Sequence, residues 1–307
     1  MAKRVLVALT AAPAALLGCH SSDGTDLPTE APTSVTMVTS GGFTSPSDAV
    51  ASPDGKTFYF AAYDDLLEPA IFSTPSDGSA GATAIALGDP LANPIGLVMS
   101  CDGNDLYIAD LGHESGAILS VSSGGGTASD LGASAIIAPG GLAMGPDCKT
   151  LYVTGHTTDG RPALFSLPTG GGAASIVFAG LPLVSPTGLH VDDKGVAWVM
   201  DHLAAGDSGE GVLFAIPSDG SSATEVISNL HMGTPGGVSL TAGGGTAVMP
   251  TRDAQGHAQL TTVDIATGET SQLAIPNMVD PAGVRTARNA GVMVVVDSEA
   301  GAIYRAQ

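Results

Sequence analysis

Hydrophobic positions along this chain fall in short runs, rich in β-branched and aromatic residues. Examples are Thr57-Phe58-Tyr59-Phe60, Leu106-Tyr107-Ile108-Ala109, Ala197-Trp198-Val199-Met200 and Val292-Met293-Val294-Val295-Val296. Near-continuous apolarity over so short a length predicts strands covered on both faces. Between the runs stand clusters such as Ser52-Pro53-Asp54-Gly55-Lys56, Gly145-Pro146-Asp147-Cys148-Lys149 and Asp192-Asp193-Lys194-Gly195. Asp and Gly there supply the backbone angles that tight hairpins need.

The runs repeat. Pro-x-Gly-(Leu/Val) recurs as Pro94-Ile95-Gly96-Leu97, Pro139-Gly140-Gly141-Leu142, Pro186-Thr187-Gly188-Leu189, Pro235-Gly236-Gly237-Val238 and Pro281-Ala282-Gly283-Val284, with a degenerate first copy at Pro46-Ser47-Asp48-Ala49-Val50. Subtracting successive proline numbers gives steps of 48, 45, 47, 49 and 46. Each copy continues with an apolar strand, an Asp/Gly turn, a second strand, a third such as Ala117-Ile118-Leu119-Ser120-Val121, a Gly-rich hairpin and a more variable fourth. Four antiparallel strands per repeat of this length form the blade of a β-propeller. The expected fold is therefore all-β, a six-bladed β-propeller of four-stranded antiparallel blades. The last copy reaches Gln307 just after its third strand, while Ser34 to Thr39 form a spare alternating strand ahead of the first copy. That N-terminal strand is expected to close the last blade and so remove exposed strand edges.

The N-terminus changes the picture of where such a fold works. Lys3 and Arg4 precede an apolar run from Val5 to Leu17, too short to span a bilayer and suited to an export signal. The run ends in Leu16-Leu17-Gly18-Cys19, which resembles the lipobox of bacterial lipoproteins. The resemblance implies cleavage before Cys19 and a diacylglycerol on its thiol, and thus a lipid bilayer as partner. The expected organisation is a lipoprotein signal peptide over 1–18, a flexible tether over 19–33 and the propeller over 34–307, exported and facing the periplasm or cell surface.

Thirty acidic against ten basic residues leave a net charge of −20, a field that repels phosphate backbones and excludes nucleic acid as a partner. Cys101 and Cys148 both lie in turns between strands one and two of adjacent copies. Such turns sit side by side, and an oxidising compartment favours a bond between them. A Cys101–Cys148 disulfide is expected.

Pro-x-Gly-Leu, an Asp-Gly turn and Leu106-Tyr107-Ile108-Ala109-Asp110 resemble NHL repeats and the wider SMP-30/gluconolactonase group of six-bladed propellers. The resemblance covers residues 34 to 307. It implies that ligands meet the face formed by the loops before strand one and between strands two and three. The strand-two ends bring Asp110, His113, His156, Asp201, His202 and Asp297 towards that mouth as candidate ligand-binding or catalytic residues. The resemblance also implies a simpler role for Asp110, Asp201 and Asp297, since in NHL-like blades the Asp after strand two commonly accepts backbone N–H bonds from its own loop. Asp48, Asp110, Asp201 and Asp297 are the carboxylates that would hold a Ca or Mg ion if one binds. The lactonases' metal ligands do not carry over, because the stretch Gly41-Gly42-Phe43-Thr44-Ser45 just ahead of the first blade holds no acid and Ser47, Ile95, Gly140, Thr187, Gly236 and Ala282 occupy the x positions; Asp48 and Asn93 lie nearby. Three readings remain: a module binding a small molecule or an envelope protein, a metal-assisted hydrolase or lyase using Asp110, Asp201, His202 and Asp297, and a structural module of a larger envelope complex, which a broad apolar patch on the outer blades would mark.

Overall fold

A computed structural model describes residues 27–206, 210–233 and 235–307. The expected signal peptide, Cys19 and residues 20–26 of the expected tether lie outside the described residues. The elements are all strands. A lone β1 (Val35–Ser40) precedes the first quartet, β2 (Thr44–Ala51), β3 (Thr57–Tyr63), β4 (Pro69–Pro75) and β5 (Thr83–Leu87). The next two quartets are β6 (Pro94–Met99), β7 (Asp105–Asp110), β8 (Ala117–Ser122), β9 (Ser129–Asp130), and β10 (Leu142–Met144), β11 (Thr150–His156), β12 (Pro162–Pro168), β13 (Ser175–Ala179). Then come β14 (Pro186–Val191), β15 (Ala197–Asp201), β16 (Glu210–Ile216), β17 (Thr224–Met232), and β18 (Ser239–Leu240), β19 (Thr246–Arg252), β20 (Ala258–Asp264), β21 (Thr270–Ala274). The last copy supplies β22 (Pro281–Thr286), β23 (Met293–Asp297) and β24 (Ala302–Ala306).

Each quartet is an antiparallel meander. Its turns are built as the sequence suggests: Ser52 Oγ donates to Asp54 Oδ1 (2.7 Å) and accepts the amides of Lys56 and Thr57, while Gly55 takes the left-handed conformation at φ 71°. The spare strand pairs with the last one in the order β1-β24-β23-β22, with Val35 opposite Ala306 and Ser40 opposite Ala302. The amides of Thr33 and Ser34 also donate to the carbonyl of Gln307 (2.8 and 3.0 Å). The two ends of the chain therefore share one sheet.

One departure from separate four-stranded sheets occurs between the fourth and fifth repeats. The long β17 overruns its quartet, and its last residues pair with β19 as His231 with Arg252 and Met232 with Thr251. The two quartets are thus joined in one eight-stranded sheet, in which β18 lies off the main path beside β19. This follows from the length of β17, a variable fourth strand whose extent the repeat pattern leaves open.

The core lies between the sheets. Phe58, Phe60 and Phe72 of the first repeat pack against Val292, Val294 and Ile303 of the last, and a comparable cluster separates every other pair of neighbouring repeats. The Pro-x-Gly glycine explains how closely the innermost strands approach. A Cβ at Gly96 would stand 2.2 Å from the carbonyl of Gly140, and one at Gly141 would stand 2.4 Å from that of Thr187. The same crowding continues from Gly188 to Gly236, from Gly237 to Val284 and from Gly283 back to Asp48. The phrase recurs because each copy presses its backbone against the next one.

Cys101 and Cys148 are disulfide-bonded, with Cα atoms 5.7 Å apart. They join the strand-one turns of the second and third repeats.

Candidate functional site

Second strands run towards one end of the assembly, here called the loop face, and first strands run towards the opposite turn face. On the loop face Asp110, Asp201 and Asp297 close β7, β15 and β23, and all three are fully buried. Asp110 accepts the amides of Ala92, Asn93 and Gly112 at 2.9, 2.9 and 2.8 Å. Asp201 accepts those of Val184, Ser185 and Leu203, and Asp297 those of Val279, Asp280 and Ala300. Each carboxylate thus ties the loop entering strand one to the loop leaving strand two. Their oxygens are spent on amide donors.

The histidines are dispersed around this face. His113 Nε2 meets the carbonyl of Pro90 at 2.8 Å and stands 4.0 Å from Asp110 Oδ1. His156 makes a backbone bridge to Ile137. His202 Nε2 is buried without a partner, and burial holds its pKa below the usual histidine range against the opposing pull of the Gly233 backbone and of Asp201 and Asp280. Among the described residues no group of three or more His, Cys, Asp or Glu is arranged to hold a metal ion.

Asp48 does not fit a cation site either. It stands where later repeats have the Pro-x-Gly glycine, so its carboxylate projects towards the axis on which the glycines converge. There Oδ1 accepts the amide of Ala49, Oδ2 accepts that of Leu97, and the guanidinium of Arg285 lies 3.4 Å away. A buried guanidinium takes the place a divalent cation would need. Burial pushes the Asp48 carboxyl up, more than Arg285 and the two amides pull it down. Arg285 also donates through Nη1 to the carbonyl of Leu189 in β14. It therefore bridges the first, fourth and sixth repeats near the axis.

Beside Arg285 a cavity of about 150 Å³ lies among the innermost strands at the turn face. Its wall contains the position two residues after each Pro-x-Gly glycine, counting Asp48 as the first. These are Val50, Val98 and Ala143 in the first three repeats and His190, Ser239 and Arg285 in the last three. One half is apolar and the other polar. Strand-two ends do not disclose this set; it lies in the first strands when they are aligned on the Pro-x-Gly phrase.

His190 is the titrating group of this wall. Burial and the positive charges of Arg285 and Arg288 lower its pKa to about 3. Unfolded, the imidazole protonates near pH ~6.5. Because the folded pKa is depressed, this neutral histidine supports stability fully above that pH, and the contribution is lost as pH falls from ~6.5 towards about 3. Denaturant titrations across that window should show unfolding free energy dropping by up to ~1.4 kcal/mol per pH unit from this group. His190→Gln should flatten the slope, and an unchanged slope in that variant would refute the assignment.

With this geometry in view, comparison with known proteins adds the architecture. No protein-family model matches the chain, and no curated protein matches it. Among solved structures, a nidogen/laminin complex aligns with a TM-score of 0.59 at 19% identity, covering 74% of this chain and 82% of that one. TolB from Acinetobacter baumannii aligns with a TM-score of 0.59 at 14% identity, over 75% of this chain and 54% of that one. The fold is a β-propeller. A Bacteroides thetaiotaomicron protein of unknown function shares this propeller fold with a TM-score of 0.63 at 13% identity, over 89% and 75% of the two chains. At such identities the likeness concerns the propeller alone.

Proposed function

We propose that this chain is an exported, lipid-anchored, six-bladed propeller of NHL-like type that acts as a binding module and docks a protein partner on its loop face. Core clusters between all neighbouring repeats, including the last and the first, support a closed ring of six blades. The carrying observation is what the braced loops display. Leu66 and Leu181 are 81% and 83% exposed, and Leu67, Val184, Leu203 and Val279 are also exposed on loops of this face. Val184 and Leu203 both give their amides to Asp201, Val279 gives its own to Asp297, and Asp64 holds the Leu66–Leu67 loop through the amides of Leu66 and Glu68. Apolar side chains on rigid loops lose little entropy when covered. Exposed Asp65 and Glu68 flank the Leu66–Leu67 pair, and the chain carries a net charge of −20. The matching partner surface is an apolar protein patch with a basic rim.

The start of the described chain supports this orientation. Leu27 to Thr29 cross the turn face, where the carbonyl of Pro28 accepts from Gly243 N and that of Thr29 accepts from Thr241 Oγ1 and Thr246 Oγ1. Seven residues lie between Cys19 and Leu27, and the eight Cα steps reach at most ~28 Å. An acylated Cys19 would hold the turn face near the bilayer and leave the loop face free.

The test uses the full chain in its native cells. A photo-crosslinking residue at Leu181 or Leu203 should give one discrete adduct, which a Leu66→Asp/Leu67→Asp variant abolishes, and the same probe at Asp193 on the turn face should give none. Equal labelling from both faces, or no adduct at all, would refute docking there. Cys19→Ser should release the protein from the membrane fraction; retention would refute the anchor.

A further inference from the structure

We propose that the axial cavity at the turn face binds a small carboxylate with an apolar body, held by Arg285 and Arg288 on one side and by the Val50, Val98 and Ala143 wall on the other. This site is separate from the loop face and does not depend on it.

Three observations converge on an anion. Arg285 is 93% buried by its relative accessibility of 7%, lines the cavity, and keeps Nε without a hydrogen-bond partner. Its bond to Asp48 is long at 3.4 Å, so the guanidinium is only partly satisfied there. Arg288 lines the cavity too, is exposed, and makes no hydrogen bond or ion pair among the described residues. In a chain with only ten basic residues against thirty acidic ones, two incompletely partnered guanidinium groups meet in one cavity, whose lining also carries Asp192 and Asp193. A carboxylate would be received by planar, multi-donor groups suited to it.

The remaining polar positions set orientation. His190 Nδ1 and Ser239 Oγ stand 3.4 Å apart, and Ser239 in turn meets Thr286 Oγ1 at 2.9 Å and accepts the Thr286 amide at 3.0 Å. These contacts fix the imidazole through Nδ1. The acids of the lining compete little. Asp192 already accepts the amides of Lys194 and Val196 and the indole N–H of Trp198, and Asp193 is exposed at the rim.

The other half of the wall excludes a bare inorganic anion as the best ligand. Val50, Val98 and Ala143 offer no hydrogen bond to a second or third oxygen, so apolar carbon is the matching surface. The size agrees with a compact molecule. A volume of about 150 Å³ gives room for roughly ten groups of water size.

Isocaproate is the probe, with isocaproamide as its uncharged isostere and inorganic phosphate as the bare anion. Calorimetry at pH 7.5 on the full mature chain should give saturable binding of isocaproate at one site, with at least tenfold weaker binding of the amide and of phosphate. Arg288→Gln, at an exposed and unpartnered residue, should weaken isocaproate at least tenfold while leaving Tm of the free protein unchanged. The Leu66→Asp/Leu67→Asp variant should bind isocaproate as wild type does, which separates this site from the docking face. Absence of binding, equal binding of the amide, or indifference to Arg288→Gln would overturn the site. Equal binding of phosphate would overturn the carboxylate assignment.

Discussion

Asp201→Ala should lower the unfolding free energy by about 3–5 kcal/mol without altering secondary structure content, as read by denaturant titration at pH 7.5. The change strips a common acceptor from the amides of Val184, Ser185 and Leu203. Each buried donor left without a partner costs ~1–3 kcal/mol, and partial hydration keeps the sum below the simple total. Against a usual domain stability of ~5–15 kcal/mol this is a large fraction. Asp110→Ala and Asp297→Ala should behave alike, because each removes a three-amide acceptor. Asp201→Asn should cost less, since its amide oxygen still accepts. The experiment also separates structure from chemistry. A catalytic or metal-holding Asp201 would typically be neutral or stabilising to remove, so a variant as stable as wild type would refute the loop-bracing role.

Loss of the Cys101–Cys148 bond should be comparable in size. The bond closes a loop with a sequence separation of 47, for which chain-entropy reasoning gives ~4 kcal/mol. Cys101→Ser is the better variant. Cys148 occupies the left-handed place in its turn, φ 57°, where the corresponding turns have Gly55 and Gly103, so replacing it would mix relief of backbone strain into the result. The wild-type protein under reductant should match Cys101→Ser in Tm, and oxidised wild type should exceed both by several degrees. Equal melting of all three would mean that the bond adds nothing beyond the packing between the second and third repeats.

Both predictions rest on residues visible in the primary structure, yet they were legible to different degrees. The two cysteines could be paired from the repeat alone, because equivalent turns of adjacent repeats must lie side by side. The β1–β24 pairing was equally legible, since one repeat lacked a fourth strand and one strand had no repeat. The aspartates were not. Asp110, Asp201 and Asp297 fall at equivalent places in alternate repeats, while Ala62, Gly155 and Thr251 take those places in the others. A carboxylate in that position reads first as a brace for its own loop and second as a ligand to a cation, and the sequence does not show which amides it accepts. The amides of a loop 16 to 18 residues earlier decided the matter by pointing at it.

What the amino-acid order determined by itself is the repeating unit: the order of strands, the turn chemistry, the recurrent Pro-x-Gly glycine and the number of sequence copies. These are local or strictly periodic properties, and periodicity survives in one dimension. The tertiary structure decided everything that depends on which side chains meet across the axis. Asp48 meets Arg285, 237 positions away, and His190 meets Ser239, 49 positions away. The overrun of β17 onto β19 belongs to the same class. Such meetings follow from arranging the sheets about an axis, which places residues from all six repeats around one cavity although the repeats lie tens of residues apart in the chain.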